Sequence, residues 1–341
     1  MTIVGSAGFA DLGILEKTEF EMKQKAKFLF LLGIVNCQLS IVNSQEHVVP
    51  FSFGDMDHWV VREIHESGII GGNTKHLYEL GPTDTIIGNT AYTNRGGSPW
   101  ANSNVMAKVA GVVKTNTSVF PERRDDGWCA RLETRMESVK VMGLVNITVL
   151  AAGSIFTGSV HEPIKGTKNP QKMLQTGIPF TKKPVALQFD YKVKMSDREN
   201  RIRATGFSKI TDVPGKDYPA AILLLQKRWE DANGNVYAKR IGTMVTYYYH
   251  STDWKNNATY EIMYGDITNR PEYKSHMMRL QATESYTVNS KGESVPIHEV
   301  AWGNENDVPT HMCLQFTSSH GGAYIGSPGN TLWIDNVKLV Y

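Results

Sequence analysis

The segment VALQFDYKVKM, residues 185–195, alternates apolar and polar side chains from Leu187 onward. Leu187 and Phe189 fall on one side of an extended chain, and Gln188 and Asp190 fall on the other, because successive side chains of a strand point to opposite faces. A period of two is typical of a strand with one buried and one solvated face. The segment therefore predicts a half-buried β-strand.

The same alternation recurs along the second half of the chain, between clusters of turn-forming residues. It is found in ARLETRMES (130–138), in residues 260–264 and 312–316, and in residues 332–339, where an Asp-Asn pair interrupts the apolar pattern. DANGN (231–235) and NSKGES (289–294) are typical hairpin connections. Many short strands separated by turns predict an all-β, antiparallel two-sheet sandwich, a fold that often exceeds 200 residues as one domain.

Two long segments lack clear alternation. Residues 67–104 are rich in Gly, Asn and Thr, and residues 266–309 are polar with scattered aromatic residues. Loops of this length in a compact domain are usually functional or disordered. We predict that both segments are long loops that form walls or a lid over a binding face.

The overall charge does not point to a nucleic-acid partner. The 341-residue chain has 36 basic and 34 acidic residues, a net charge of +2, and so has no electrostatic excess to attract a polyanion. After the N-terminal region, no segment approaches the roughly 18 apolar residues of a membrane span, so we predict no transmembrane segment.

The N-terminal region has the pattern of a secretory signal. Lysines at positions 23, 25 and 27 precede the apolar run 28–35, and small residues precede Gln45; this is the order of a signal peptide. We predict an over-extended start at 1–21, a signal peptide at 22–44 and one mature domain at 45–341. The mature protein is then exported to the periplasm, the outer-membrane surface or the medium.

The cysteines leave two questions open. Cys37 follows the apolar run, and as a lipidated first residue it is the alternative to cleavage after Ser44. Cys129 and Cys313 either pair in the oxidising compartment or remain isolated thiols on different strands.

Several strings resemble the putative carbohydrate metabolism domain family of Bacteroidetes. They are PWANSN (99–104), ARLETR (130–135), AAGSIFTGSV (151–160), GIPFTKKPVALQFDYKV (177–193) and SSHGGAYIGSPGNTLWIDNVKLVY (318–341). The resemblance implies an exported jelly roll of the galactose-binding-like type, similar to carbohydrate-binding modules, with a glycan as partner. The segment 266–309 is longer than the connection usual in the family.

A glycan site needs aromatic faces for the apolar sides of sugar rings, with polar partners for the hydroxyl groups. Our candidates, several of them in loop-like contexts, are Trp302, Trp100, Trp254, Tyr92 and Tyr273, with Arg131 and Arg135 as guanidinium partners. The alternative for Trp100 and Trp254 is packing in the core.

Glycoside hydrolysis requires two carboxyl groups, about 5–5.5 Å apart for retention or about 6.5–9.5 Å for inversion. The candidates are Glu133, Glu162 and Glu299. Glu133 and Glu137 lie on one strand with their Cα atoms roughly 13 Å apart, which is too far for such a pair. The alternative for these two glutamates is a solvated row of ion pairs with Arg131 and Arg135.

The resemblance to carbohydrate-binding jelly rolls also implies a structural calcium. In those folds, aspartates near the first strand lie beside an aspartate of the last strand, and here the counterparts are Asp55, Asp57 and Asp335. Calcium takes six to eight oxygen ligands. The alternative is that these carboxylates accept hydrogen bonds at strand ends, and no other cofactor is expected.

These observations leave three hypotheses for the function. The leading one is an exported protein that binds carbohydrate through aromatic residues on loops. The alternatives are a glycoside hydrolase or lyase that uses paired carboxylates, and a structural surface or adhesion subunit.

Overall fold

The structure is a computed structural model that describes residues 47–341, apart from 110, 142–144, 167–168, 207–208 and 278–284. The start predicted at 1–21, the signal peptide at 22–44 and Cys37 lie outside these residues. No helix in the described part of the chain is long and apolar enough to cross a membrane.

Strands form almost all of the regular structure in the described residues. They are β1 (Val48–Pro50), β2 (Trp59–His65), β3 (Thr74–Leu80), β4 (Asp84–Ile87), β5 (Trp100–Asn102), β6 (Val105–Val109), β7 (Val112–Asn116), β8 (Val119–Arg124), β9 (Gly127–Glu133), β10 (Arg135–Val141), β11 (Val145–Ala151), β12 (Ser154–Val160), β13 (Leu174–Thr176), β14 (Ile178–Pro179), β15 (Ala186–Lys194), β16 (Arg201–Arg203), β17 (Thr205–Gly206), β18 (Thr211–Val213), β19 (Ala220–Glu230), β20 (Val236–Tyr247), β21 (Thr252–Glu261), β22 (Met263–Tyr264), β23 (Tyr286–Val288), β24 (Ser294–Trp302), β25 (His311–Thr317), β26 (Ile325–Gly326) and β27 (Thr331–Val340). Short 3-10 helices lie at η1 (Gly68–Ile70), η2 (Pro170–Met173) and η3 (Ser275–Met277).

Two large sheets form the body of the fold. The six-stranded sheet has the order β21-β15-β27-β9-β8, with β1 beside β27. The ten-stranded sheet has the order β13-β12-β25-β19-β20-β24-β23, with β5, β14 and β22 paired at its sides. Smaller sheets, such as β3-β2-β4 and β10-β11-β17, surround these two.

The strand order identifies the fold as a jelly roll. When β9, β12, β15, β19, β20, β21, β25 and β27 are numbered 1 to 8, one sheet has the order 1-8-3-6 and the other the order 2-7-4-5. The chain therefore crosses repeatedly between the sheets, as it does in a double Greek key. This arrangement confirms the predicted all-β jelly-roll sandwich.

The core lies between the two sheets. Leu187 and Phe189 of β15 pack against residues of the other sheet, among them Leu223, Leu225 and Phe316, and all five are fully buried. Each such side chain contributes roughly 1.5–3 kcal/mol when it is removed from water. The inward face of each sheet is therefore committed to the core. The outer face of the ten-stranded sheet is also partly covered, because Ala220, Thr243 and Val245 on that face are buried, so only its partly exposed positions are open to contact with other molecules.

The interruption at Asp335-Asn336 is a bulge in the last strand. Asn336 has a φ of 52°, a left-handed conformation that asparagine tolerates better than most residues. The extra residue restores the alternation, so Ile334 and Val337 both face the core. Asp335 consequently lies on the outer face, opposite Asp190 of β15.

The two segments predicted as long loops contain strands. Residues 67–104 include β3, β4 and β5, and residues 266–309 include β23 and β24. In β3 the apolar alternation is missing because Glu79 is buried there and bonds to Arg62. A strand that buries a polar side chain in this way does not show the pattern by which strands are recognised.

The two cysteines in the described residues are both free thiols. Cys129 lies on β9 of the six-stranded sheet, whereas Cys313 lies on β25 of the ten-stranded sheet. Of the two alternatives, the structure has the isolated thiols.

Candidate functional site

The outer face of the ten-stranded sheet combines a polar, aromatic end with an apolar centre. Since Ala221, Leu223 and Leu225 of β19 face the core, the alternate residues face outward. In register across β25, β19 and β20, the outward rows are Thr317–Ala220–Tyr247, Gln315–Ile222–Val245 and Cys313–Leu224–Thr243.

Five aromatic rings meet at the end of this face where β20 finishes. This group, here called the Tyr–His cluster, consists of Tyr218, Tyr247, Tyr249, His276 and His320. The Tyr247 ring centroid lies 4.6 Å from that of His276 and 4.8 Å from that of His320. Tyr218 contacts Tyr249 edge to face at 4.7 Å and stacks on His320 at 5.5 Å. The cluster draws its rings from β20, η3 and the segments that flank β19 and β25.

The local sequence explains why tyrosines reach this surface. In the run Thr246 to His250, Tyr248 is 6% exposed and packs in the core. Its neighbours Tyr247 and Tyr249 therefore point to the other side of the strand, and Tyr249 is 46% exposed. The cluster is thus open to solvent on at least one ring.

A buried carboxylate fixes one ring of the cluster. The Asp217 side chain has no exposure, and its oxygens accept hydrogen bonds from the Ser319 hydroxyl (2.9 Å), the Ser327 N–H (2.8 Å) and the Asn330 amide (3.2 Å). Nδ1 of His320 lies 3.2 Å from Asp217 Oδ1.

The position of His320 is maintained for either position of its ring hydrogen. A protonated Nδ1 donates to Asp217, whereas an unprotonated Nδ1 accepts from the backbone N–H of Tyr218 at 3.0 Å. The second ring nitrogen, Nε2, lies on the side of the ring away from Asp217, and the side chain is 18% exposed. The Asp217–His320 pair thus has the arrangement in which a carboxylate orients an imidazole for proton transfer.

A cavity of about 90 Å³ opens on the centre of the same face. Its walls include Phe156, Ile222 and Leu224, together with the side chains of Cys313 and Gln315. No Asp, Glu, Lys, Arg or His lines the cavity among the described residues. The face therefore offers an uncharged recess beside a cluster of aromatic rings.

Aromatic residues on the outer face of the six-stranded sheet are covered by cations. The Arg124 guanidinium lies 3.9 Å from the centroid of Trp254, and the Lys192 ammonium lies 4.8 Å from that of Trp333. Such contacts are favourable in themselves. They also occupy the ring faces on which a sugar would stack, so this sheet is the weaker candidate.

The remaining aromatic residues proposed from the sequence lie in different environments. Trp100 is 1% exposed, donates to the Ser52 carbonyl and packs in the core, and Tyr92 is 9% exposed beneath Arg62. Neither presents a ring face to solvent. Trp302 and Tyr273 are half-buried, and the Arg240 guanidinium lies 5.6 Å from the Trp302 ring. The structure does not bring these residues into one surface.

Glu133, Arg131 and Arg135 lie in a row of ion pairs around one phenylalanine. Arg131 bonds to Glu133 at 2.7 Å and stacks over Phe120, and Arg135 lies 3.2 Å from Glu137. These side chains are partly exposed, where such pairs contribute little to stability. This is the alternative considered for these glutamates, a solvated row of ion pairs with Arg131 and Arg135.

Glu162 belongs to a buried polar cluster with Arg62 and Glu79. It accepts two hydrogen bonds from the Arg62 guanidinium and further ones from the N–H groups of Tyr92 (3.1 Å) and Met106 (2.7 Å). Burial raises the pKa of Glu79 to about 8 even though Arg62 opposes the rise. The carboxyl group of Glu79 therefore keeps its proton at neutral pH.

Glu299 lies in a third, separate network. It is 5% exposed and is bound by the Arg240 guanidinium and by the Gln226 amide. Glu133, Glu162 and Glu299 therefore each pair with a different arginine. Glu162 follows β12, which β25, β19 and β20 separate from the strand of Glu299, and Glu133 lies on β9 of the other large sheet. The structure does not bring them together as a hydrolytic pair.

The three aspartates proposed for calcium do not form one donor set. Arg124 bonds to Asp335 at 2.7 Å and to Asp190 at 2.9 Å, and Asp57 accepts from the N–H of Trp128. No group of three or more His, Cys, Asp or Glu side chains in the described part of the chain has the geometry to hold a metal ion. The guanidinium already supplies the positive charge beside Asp335, so these residues do not fit a calcium ion.

The sequence contains a signal for the Tyr–His cluster that alternation alone could have identified. Three successive tyrosines at and just after the end of a strand place at least one ring on the side opposite the core. His276 and His320 had no such signal, because the contact between them and Tyr247 depends on the fold and not on spacing along the chain.

Comparison with known proteins gives a family and two distant structural likenesses. The model of the family called putative carbohydrate metabolism domain matches residues 82–340. No curated protein matches the chain. A structure described as a putative glycoside hydrolase from Bacteroides thetaiotaomicron is 19% identical with a TM-score of 0.41, and covers 79% of this chain and 75% of that one.

A second structure, also described as a putative glycoside hydrolase, comes from Bacteroides vulgatus. It is 13% identical with a TM-score of 0.38, and covers 87% of this chain and 95% of that one. TM-scores below 0.5 do not bear on the fold or activity of this chain, so the assignment to a family depends on the match over residues 82–340.

Proposed function

This chain belongs to the putative carbohydrate metabolism domain family, and from that premise we propose that it binds glycan on the outer face of the ten-stranded sheet. The Tyr–His cluster supplies the contact surface. The observation that supports this most is the exposed ring of Tyr249 at the edge of a stacked group of five rings, beside an uncharged cavity.

The chemistry of the cluster matches that of a sugar ring. The apolar C–H faces of a pyranose pack on aromatic rings, and its hydroxyl groups need a few well-oriented polar partners. Tyrosine hydroxyls and the Nε2 atom of His320 provide such partners. Because Asp217 and the stacked rings hold His320 in place, little side-chain entropy is lost on binding.

Export is part of the proposal. Its support is the order of lysines, apolar run and small residues in positions 22–44. N-terminal sequencing of the protein from its native host would test it: a mature chain beginning at Gln45 supports cleavage, and a lipid-modified Cys37 supports the anchored alternative.

The binding test is a glycan array followed by titration of the best ligand. Tyr249→Ala should raise Kd about tenfold, the effect of losing roughly 1.4 kcal/mol of contact. Tyr237→Ala is the matched control, since Tyr237 stacks on Trp229 in the β19–β20 hairpin, away from the cluster. Equal Kd values for Tyr249→Ala and the unmodified protein would contradict the proposed surface.

A second function, glycan cleavage, is favoured by one observation, the Asp217–His320 pair. Since the three glutamates do not come together, His320 is the group placed for proton transfer. Release of reducing ends from the bound glycan would support this function if His320→Gln abolished it while binding was retained. If the glycan binds but no reducing ends appear after prolonged incubation, the protein binds glycan without cleaving it.

A further inference from the structure

We infer that the cavity beside the Tyr–His cluster accepts the acetamido group of an N-acetylated sugar. The inference rests on the proposed function, because it names the class of glycan that the same face would select. It adds a specificity determinant, formed by Ile222, Leu224 and Gln315, to the aromatic contact surface.

The position of the cavity fits a substituent of a sugar held at the cluster. The row that contains Tyr247 and the row that contains Ile222 are neighbours on the same sheet face. Two residues along a strand span about 7 Å, which is close to the width of one sugar ring with its substituents. Ile222 and Gln315, in the second of these rows, are only half-buried, so the cavity side of the face is reached by solvent.

The size of the cavity suits a group of a few heavy atoms. It measures about 90 Å³, whereas one water needs only roughly 10–15 Å³ of such space. An acetamido group has a methyl carbon, a carbonyl and an N–H. A single hydroxyl group would leave most of this volume without contacts, and unfilled apolar surface contributes nothing to binding.

The lining of the cavity has the two kinds of surface that an acetamido group requires. Phe156, Ile222 and Leu224 provide apolar walls for the methyl group. Gln315 provides an amide that makes no side-chain hydrogen bond to the described residues, so its carbonyl and NH₂ are available to the N–H and C=O of the ligand.

Charge excludes the closest alternative sugars. The described residues that line the cavity include no carboxylate that could pair with the ammonium group of a deacetylated amino sugar. Transfer of an unpaired charge into such a site is strongly unfavourable. The arginine nearest to the lining, Arg228, is already bonded to Cys313, Gln226 and the Thr176 carbonyl, so it is not available for an acidic substituent.

The test compares three soluble oligosaccharides of equal length and linkage: chito-oligosaccharide, its fully deacetylated form, and cello-oligosaccharide. They differ only in the group at C2. The full chain is titrated with each by calorimetry. We expect the N-acetylated oligomer to bind at least tenfold more tightly than either of the others.

Two variants assign that preference to the cavity. Ile222→Trp fills the space and should make the affinities for the acetylated oligomer and the cello-oligosaccharide equal. Gln315→Leu keeps the volume but removes the amide, and should weaken binding of the acetylated oligomer several-fold. Val300→Trp, which adds the same ring at an exposed position of β24 outside the cavity lining, is the matched control and should retain the preference, and melting curves verify that each variant is folded.

The outcomes separate this inference from the proposed function. Equal affinities for all three oligomers, with Tyr249→Ala still weakening binding, would overturn the acetamido site and leave the glycan-binding face intact. A preference for the acetylated oligomer that survives in Ile222→Trp would also overturn it. Absence of binding to every oligomer and to every glycan on an array would overturn both.

Discussion

The protonation of Glu79 gives the most quantitative prediction. Glu79 and Glu162 share the buried guanidinium of Arg62, at 2.9 Å and 2.5 Å respectively. Burial raises the pKa of Glu79 from 4.5 to about 8. The folded protein therefore keeps a proton on Glu79 at neutral pH that the unfolded chain releases.

The sign of the effect follows from linkage. A group whose pKa is raised on folding stabilises the protein fully below its unfolded pKa, and that contribution is lost as the pH rises through the folded value. For a pKa that moves from 4.5 to about 8, the loss between about pH 6 and pH 8 amounts to roughly 2 kcal/mol. Other groups, histidines among them, titrate in the same range, so the comparison must be made with a variant.

Glu79→Gln is that variant, because a glutamine is neutral at every pH. Urea unfolding followed by tryptophan fluorescence, at several pH values from about 6 to 8, gives the free energy of unfolding of both proteins. We expect the unmodified protein to lose about 2 kcal/mol more than the variant over this range. In the unmodified protein the Asn102 amide donates to Glu79 at 2.9 Å, and in the variant it faces the new glutamine amide. Any free-energy cost of that contact is independent of pH, so it lowers the unfolding free energy of the variant equally at every pH. If the unfolding free energies of the two proteins changed equally with pH, the raised pKa of Glu79 would be wrong.

Three further predictions concern residues whose roles the structure defines. Glu162→Gln should lower the free energy of unfolding by about 1–3 kcal/mol, because an amide cannot accept all the hydrogen bonds that Glu162 accepts from Arg62 and from the N–H groups of Tyr92 and Met106, while Glu79 remains beside Arg62. Glu133→Gln in the partly exposed ion-pair row should cost less than about 1 kcal/mol, and equal losses of the two variants in urea unfolding would contradict the distinction. Trp100→Ala should lower the free energy of unfolding by about 3–5 kcal/mol, because it opens a cavity in the core. A loss below about 1 kcal/mol in urea unfolding would show that the Trp100 ring is not part of the core. Removal of calcium by a chelator should leave the melting temperature unchanged, because Arg124 already neutralises Asp335; a lower melting temperature after chelation that calcium restores would contradict this.

The fold was largely predictable because alternation is a local property. Residues such as Leu187, Phe189, Leu332 and Leu339 alternate with polar neighbours, and all four are buried as expected. The strand β3 was missed because Glu79 occupies a buried position in it. Where a buried polar hydrogen bond replaces an apolar contact, the pattern that identifies a strand is absent.

The candidate site was much less predictable. The sequence directed attention to tryptophans and carboxylates, yet Trp254 is covered by Arg124 and the glutamates lie in separate networks. The Tyr–His cluster depends on a jelly-roll topology that brings the end of β20 beside the residues that follow β25. The contact between Tyr247 and His320 joins positions far apart in the chain, and no local spacing could have indicated it.

The central claim, that glycan binds on the outer face of the ten-stranded sheet, is tested most directly by a crystal structure of the full chain with its best oligosaccharide ligand. We expect a sugar ring packed on Tyr249 and Tyr247, with a hydrogen bond to Nε2 of His320 and a substituent in the cavity lined by Ile222 and Gln315. A ligand bound instead on the outer face of the six-stranded sheet, beside Trp254 and Trp333, would contradict it.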